Sequence, residues 1–302
     1  MIVITGANGF IGRNLLKSFP LDQDIIIVDY FYDNLKEEIK NRRSHVYLLD
    51  PPGFLNMFRS GPCSVDFVFH QGACTDTTCY DAKCMLEKNY DYTYELINLC
   101  VEFNTPLVYA SSASVYGDGP FVEGVTMSPK NIYAKSKSMI DDYVLMVSQT
   151  TKSQITGLRY FNVYGPLEES KGKMASVLNQ FKDQIDTASE VRIFEHSEEY
   201  KRDFVFVDDI VKINRHFYEN NISGIFNCGT GKSEKFTEIP RILKKHYKFD
   251  IIEVPMPDSL QGKYQEYTEA NLDRLRDIGK YDHDFLTLEE GIERYVQYWQ
   301  GK

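Results

Sequence analysis

Residues 5–12 read Thr5-Gly6-Ala7-Asn8-Gly9-Phe10-Ile11-Gly12. An apolar run, Met1–Thr5, leads into them, and Arg13–Phe19 follows with helical spacing. A buried strand, a glycine turn and a helix opening at that turn make a seat for a pyrophosphate. The glycines allow close backbone approach, and the N–H groups and dipole of the helix end meet the anion. A tight strand-to-helix turn without a ligand would look the same over these residues alone. The next strand, predicted over Ile25–Val28, separates the two readings. It ends in Asp29, at the distance expected of a carboxylate that binds a ribose hydroxyl. Gly6, Gly9, Phe10, Ile11, Gly12, Asp29 and the adjacent Tyr30 are therefore expected to bind a dinucleotide.

Asp29 by itself favours NAD, because a carboxylate repels a 2′-phosphate. Lys36, Lys40, Arg42 and Arg43 follow closely, and one of them could neutralise that phosphate. They read equally well as solvated helix charges. Residue chemistry alone leaves NAD and NADP open.

Further along, Val46–Asp50 and Asp66–His70 read as strands. The second ends in Gln71-Gly72-Ala73-Cys74-Thr75, a small-residue turn where backbone can pass close to a cofactor. His70 reads as a structural residue. Tyr80–Phe103 reads as a helix, with Asn89 as a polar cofactor contact. Leu107–Ser111 is a further strand, and Ser111-Ser112-Ala113-Ser114 stands at its carboxyl end, the edge where open α/β sheets bind ligands. A strand-end serine can simply cap backbone. Here Ser128-Pro129 is expected to open a helix carrying Tyr133-Ala-Lys-Ser-Lys137, so serine and tyrosine can converge. Tyrosine and lysine four apart share a helix face. There the Lys137 ammonium would lower the Tyr133 phenol toward neutrality, making it a proton acceptor or donor.

Ile155–Leu158 is a sixth strand, after which the repeating pattern breaks. Leu167–Arg202 is charged and irregular, with one helix near Ala175–Ile185. Asp203–Val207 and Gly224–Cys228 look like strands returning to the sheet, and a helix over Leu288–Gln300 ends the chain. The pattern predicts an α/β fold: a Rossmann doubly wound parallel sheet with a smaller, interleaved C-terminal substrate domain. The boundaries expected are 1–162 and 203–228 for the first, 163–202 and 229–302 for the second.

The chain has 302 residues, enough for a large core, and a net charge of −10, which argues against general affinity for nucleic acid or anionic membrane. No apolar run reaches the length of a membrane span. The N-terminus moves directly into a strand rather than a signal peptide, so a cytoplasmic location is expected. Six cysteines include no Cys-x-x-Cys pair, and Cys74, Cys79 and Cys84 are spaced too widely for a zinc site; reduced thiols and no metal are expected.

Together, TGANGFIG at 5–12, YASSASVYG at 109–117, YAKSK at 133–137, RYFNVYGP at 159–166 and KRDFVFVDD at 201–209 resemble the extended short-chain dehydrogenase/reductase superfamily over the whole chain. A narrower resemblance rests on 171–177, 194–203 and 261–265, with QGACT at 71–75 and MLEKNY at 85–90. These stretches look like the ADP-L-glycero-D-manno-heptose 6-epimerases, whose reaction inverts C6″ of an ADP-activated heptose of lipopolysaccharide core assembly. The resemblance implies NADP, with Lys36 facing its 2′-phosphate. It also implies that Ser112, Asn162, Val163, Lys171, Lys173, Phe194, Glu195, His196, Ser197, Arg202 and Tyr264 contact the substrate. Arg202 would pair with the ADP diphosphate. Lys173 stands where a small serine is expected, and Asn179-Gln180 replaces a segment ending in histidine; both departures bear on sugar contacts.

A carbinol C–H is not acidic, so inversion there needs transient oxidation to a ketone and hydride return to the other face. The resemblance makes Tyr133 and Lys171 the two acid/bases, with Ser112 on the oxygen and Lys137 on the nicotinamide ribose and Tyr133. Without it, Lys171 would read as a loop charge or a diphosphate contact. A homo-oligomer is expected. Rival readings are a 4-epimerase of UDP-sugars, a nucleotide-sugar dehydratase (for which Ala113 and Ser114 lack the needed acidic pair) and a non-catalytic NADP-binding sensor.

Overall fold

The computed structural model describes residues 1–61, 64–76, 81–257 and 265–301. Its strands are β1 (Ile2–Thr5), β2 (Ile25–Val28), β3 (Val46–Leu49), β4 (Phe67–His70), β5 (Leu107–Ser112), β6 (Ile155–Tyr160) and β7 (Asn162–Tyr164). They continue with β8 (Glu190–Phe194), β9 (Lys201–Arg202), β10 (Phe204–Phe206), β11 (Gly224–Cys228), β12 (Glu234–Lys235) and β13 (Asp250–Val254). Seven of them form one sheet in the order β3-β2-β1-β4-β5-β6-β11, every pair parallel. This is the doubly wound Rossmann order expected from the glycine turn.

The strands Ile-Val-Ile-Thr of β1, Ile-Ile-Ile-Val of β2 and Phe-Val-Phe-His of β4 are buried at every position. Continuous apolar strands of this kind need both faces covered. One face packs on Leu15 and Leu16 of the helix Phe10–Lys17 and on Ile210, Ile213 and Phe217 of the helix Val207–Asn220. The other packs on Phe54, Phe58, Leu96, Ile97, Ile140 and Val144. Thr5 pairs in register with Val28 and His70, so Gly6, Asp29 and Gln71 leave the sheet side by side at its carboxyl edge.

Several expectations need correction. Asp203–Val207 does not return to the main sheet; Phe204–Phe206 pairs with Asn162–Tyr164 as a separate two-stranded unit. Both edges of β6 are already taken, by β5 and β11, so the next strand has no edge to join. The helix carrying Tyr133 starts at Ile132, not at Ser128-Pro129. Its cap is Asn131, whose side chain accepts from the Ala134 N–H at 2.8 Å. Ser128 is tied instead to the turn after β5, its N–H donating to the Val115 carbonyl.

The helix Pro51–Arg59 was not anticipated, although Asp50-Pro51 is an N-cap and N1 signal: Asp50 accepts from Gly53 N at 2.7 Å. The parallel pair β8–β13 was not anticipated either. A third apolar cluster, with Leu178, Phe181, Val191, Ile242 and Tyr295, fills the C-terminal part and reaches Tyr164 and Phe206. Among the described residues, no helix is long and apolar enough to cross a membrane.

Candidate active site

The glycine turn forms a cradle because its backbone segments touch. Gly6 has φ +67°, and a Cβ there would lie 2.5 Å from Gly72 Cα; one at Gly12 would lie 2.1 Å from the Gly6 carbonyl oxygen. Gly9 caps the helix Phe10–Lys17 without a side-chain bond, leaving that helix end open to a ligand. Above it lies a cavity of about 480 Å³. Gly6, Gly9, Phe10, Ile11, Gly12, Asp29, Tyr30 and Gln71–Thr75 line it. Asp29 Oδ2 accepts from the Asn8 N–H at 2.9 Å and Oδ1 from the Tyr30 N–H at 2.8 Å. Burial pushes its pKa up, against the pull of these backbone bonds. Open helix end, close-packed glycines and ribose-level carboxylate all fit a nicotinamide dinucleotide.

Four residues expected to contact the cofactor, Lys36, Asn89, Tyr133 and Lys137, are not among those that line the cradle. Lys36 is exposed and outside the lining. Asn89 is buried and committed to the loop: its Oδ1 accepts from Cys74 N at 2.7 Å, and its Nδ2 donates to Cys74 O at 2.9 Å and Ser136 Oγ at 3.1 Å. It shapes the Cys74 turn, which lines the cradle. His70 is structural as expected. Its ring nitrogens lie 2.6 Å from Thr5 Oγ1 and 2.8 Å from Thr93 Oγ1, and burial lowers its pKa to about 3. The thiols of Cys74 and Cys84 are half-buried and those of Cys100 and Cys228 buried, all free; Cys63 and Cys79 lie outside the described residues.

At the end of β5, Ser112 lies beside Tyr133, near enough for its hydroxyl to favour the phenolate. Ser112 also caps the turn after the strand, accepting from Ser114 N at 3.2 Å and Ser114 Oγ at 2.9 Å. The expected lowering of the phenol by Lys137 is not found. Burial raises the Tyr133 pKa, with Ser112 opposing. Lys137 turns instead to the strand, donating to Ala110 O at 2.7 Å, and burial lowers its pKa to about 8, against the pull of Asp141.

Lys171 sits in the turn Glu169–Met174, yet its side chain reaches the cradle lining, Nζ 5.5 Å from the centre of the Phe10 ring. Burial lowers its pKa, with Glu168 opposing. Glu168 holds this turn: it is buried and accepts from Gly165 N at 3.2 Å, Ser176 N at 2.6 Å and Ser176 Oγ at 2.8 Å. Lys173 is exposed and outside the cradle. Asn179 is buried, accepting from Tyr295 OH at 3.3 Å, so this departure serves packing.

Asn162 Nδ2 donates to Asp203 O and Thr268 Oγ1, and Val163 beside it is half-buried. Phe194 ends β8; Glu195 and His196 are exposed, His196 with φ +63°. Ser197 Oγ is buried with no hydrogen-bond partner among the described residues. Arg202 is buried, its guanidinium 5.4 Å from the centre of the Phe236 ring. Tyr264 lies outside the described residues.

Sequence reasoning missed two buried carboxylates that hold these parts in place. Asp203 accepts from Thr230 N, Gly231 N and Ala270 N at 2.7, 2.9 and 3.0 Å. Asp141 accepts from Tyr109 OH, Ser111 Oγ and Arg159 Nε. The only sequence signal for Asp141 was its place four residues after Lys137 on the same helix.

Residues 2–229 match the model of the NAD dependent epimerase/dehydratase family. An ADP-L-glycero-D-manno-heptose-6-epimerase from Brachyspira hyodysenteriae is 44% identical over 311 aligned positions, covering 98% of this chain and 97% of the relative. The crystal structure of an ADP-L-glycero-D-manno-heptose-6-epimerase from Helicobacter pylori superimposes with a TM-score of 0.85 at 31% identity, covering 100% of this chain and 96% of that one. A UDP-N-acetylglucosamine 4-epimerase from Methanobrevibacter ruminantium also gives 0.85, at 23% identity over 99% of this chain and 98% of its own, a likeness of fold alone.

Proposed function

Since the chain belongs to the NAD dependent epimerase/dehydratase family, we propose that it is an isomerase inverting C6″ of ADP-D-glycero-D-manno-heptose to the L-glycero epimer. The observation that carries this reading is Lys171. A residue of an irregular turn after β7 lines the same cradle as Gly9 and Phe10, with burial favouring its neutral form. That supplies a second acid/base besides Tyr133, which inversion needs because the oxygen is presented from two orientations. The 4-epimerase and dehydratase alternatives share Ser112, Tyr133 and Lys137 but do not require this lysine.

A bound nicotinamide supplies reversible hydride removal and return. The chain's own residues do the rest. Ser112 Oγ holds the C6″ oxygen against the Tyr133 hydroxyl, which moves its proton in one orientation of the sugar; Lys171 Nζ does so in the other. Lys137, moored to β5, keeps a positive charge beside the reacting oxygen. Arg202, the 194–197 loop and Tyr264 are assigned to the ADP moiety, and 163–202 with 229–302 to the sugar-binding lobe. A nicotinamide dinucleotide is the cofactor; NADP, which the resemblance implies, would need a cation that Lys36 does not bring to the lining.

The reading also takes a cytoplasmic location, tested by cell fractionation. It takes a homo-oligomer too, supported by the exposed apolar side chains Tyr94, Leu145 and Met146 and tested by sedimentation. Purified protein incubated with ADP-D-glycero-D-manno-heptose and no added cofactor should yield the C6″ epimer by NMR, with no net reduced nicotinamide. No conversion despite bound cofactor would turn the assignment toward UDP-hexoses.

A further inference from the structure

We propose that Glu168 and Asn14 are positioning residues that fix Lys171 over the cradle. This rests on the reading of Lys171 as the second acid/base and names what holds it there. The turn Glu169–Met174 buries little of itself: Glu169, Ser170, Gly172 and Lys173 are exposed. Its place is therefore set where it joins the fold. Glu168, fully buried, clasps the two ends together. Its Oε1 accepts from Gly165 N at 3.2 Å and its Oε2 from Ser176 N at 2.6 Å. Ser176 in turn caps the helix Val177–Ala188, its Oγ accepting from Asn179 N at 3.3 Å. Within the clasp, Lys171 N donates to Glu168 O at 2.9 Å.

Asn14 moors the closed turn to the helix that opens at the cradle. From the helix Phe10–Lys17, its Nδ2 donates to Pro166 O at 2.9 Å and to Phe10 O at 3.0 Å. Phe10 is the residue over whose ring Lys171 Nζ lies. One amide thus joins the base of the turn to the backbone beneath the lysine. Neither Glu168 nor Asn14 lines the cavity, so both act through Lys171 rather than on a ligand. Glutamine at position 168 cannot reproduce the clasp. It offers one acceptor oxygen, and whichever way its amide turns, the NH2 group meets the Gly165 or the Ser176 N–H. A buried donor left without an acceptor loosens the turn, and a displacement of about 1 Å at a reacting group costs on the order of a hundredfold in rate.

The test is a double-mutant cycle on epimerisation of ADP-D-glycero-D-manno-heptose, with kcat, KM and cofactor content measured for each variant. Glu168→Gln should lower kcat about tenfold to a hundredfold and Asn14→Ala about threefold to tenfold, with KM and bound cofactor within about twofold of wild type. In the Lys171→Met background neither should lower kcat further by more than about twofold. A merely structural role would reduce both backgrounds alike, and that result would overturn the proposal, as would unchanged kcat in both single variants. Asn14→Ala, on a helix that alanine favours, decides if Glu168→Gln does not fold. Full activity of Lys171→Met, or no turnover by wild type, would overturn the underlying reading as well. An impaired Lys171→Met with equal losses in both backgrounds overturns this inference alone.

Discussion

The Lys137 ammonium donates to the main-chain carbonyl of Ala110 at 2.7 Å. Ala110 lies two positions before Ser112 in β5, so the lysine is moored to the strand that presents the serine. Its charge is a property of the site rather than of a mobile side chain, and that gives the activity a pH limit.

Burial lowers the Lys137 pKa to about 8. A lowered pKa means that the ammonium persists below about 8 and is lost as pH rises through it. Turnover should therefore be level near neutrality and fall above about pH 8. Lys137→Met should remove that alkaline limb together with about a hundredfold or more of the rate. A wild-type kcat profile that stays flat to about pH 9.5 would exclude the ammonium from the rate-limiting chemistry.

Tyr133→Phe and Lys171→Met remove one proton-transfer group each and little volume. Each should lower epimerisation about 10²- to 10⁴-fold while cofactor still binds. Cofactor content by absorbance after gel filtration separates loss of chemistry from loss of the cradle. Full activity in Lys171→Met would take that residue out of the mechanism.

The parts legible in sequence were those where local chemistry repeats. The glycine turn, the strand-end Asp29 and the apolar strands announced the sheet because each needs only neighbouring residues to be read. Lys36 is exposed in the structure, and a cation near a carboxylate in sequence says nothing about which side of a short helix it occupies. The backbone partner of Asn89, Cys74, lies fifteen residues away across a turn, which spacing alone does not announce. The Tyr133–Lys137 pairing was read from helix spacing, which gives a shared face but not the competing Ala110 carbonyl. Asp203 and Asp141 were missed for the same reason: their partners come from distant strands and loops.

His70 gives a stability signature at acid pH. Its pKa falls from 6.5 unfolded to about 3 folded. Between these values the unfolded chain binds a proton that the folded chain refuses, so stability is full above about 6.5 and is lost as pH falls toward 3, by about 1.4 kcal/mol per unit. Urea melts of wild type and His70→Asn from about pH 7 to 4.5 should show the steeper loss in wild type. Parallel slopes would place the acid sensitivity on other groups.

The buried pair Asp141–Arg159 should behave differently when broken than when removed. Arg159 Nε donates to Asp141 Oδ2 at 2.7 Å, and both side chains are nearly inaccessible, at 0% and 4%. Arg159 Nη1 also donates to Tyr116 OH at 2.7 Å, while Tyr109 and Ser111 hydroxyls complete the carboxylate. Asp141→Asn strands a buried guanidinium, and Arg159→Met strands a buried carboxylate, so each should cost about 3–5 kcal/mol. The double variant leaves no uncompensated charge and should recover much of that loss, with a coupling of at least about 1.5 kcal/mol in a denaturant-melt cycle. Additive losses would mean that the two side chains stabilise the β5–β6 region through separate contacts. Ser112, one residue beyond Ser111, would then owe its position to the strand pairing rather than to this network.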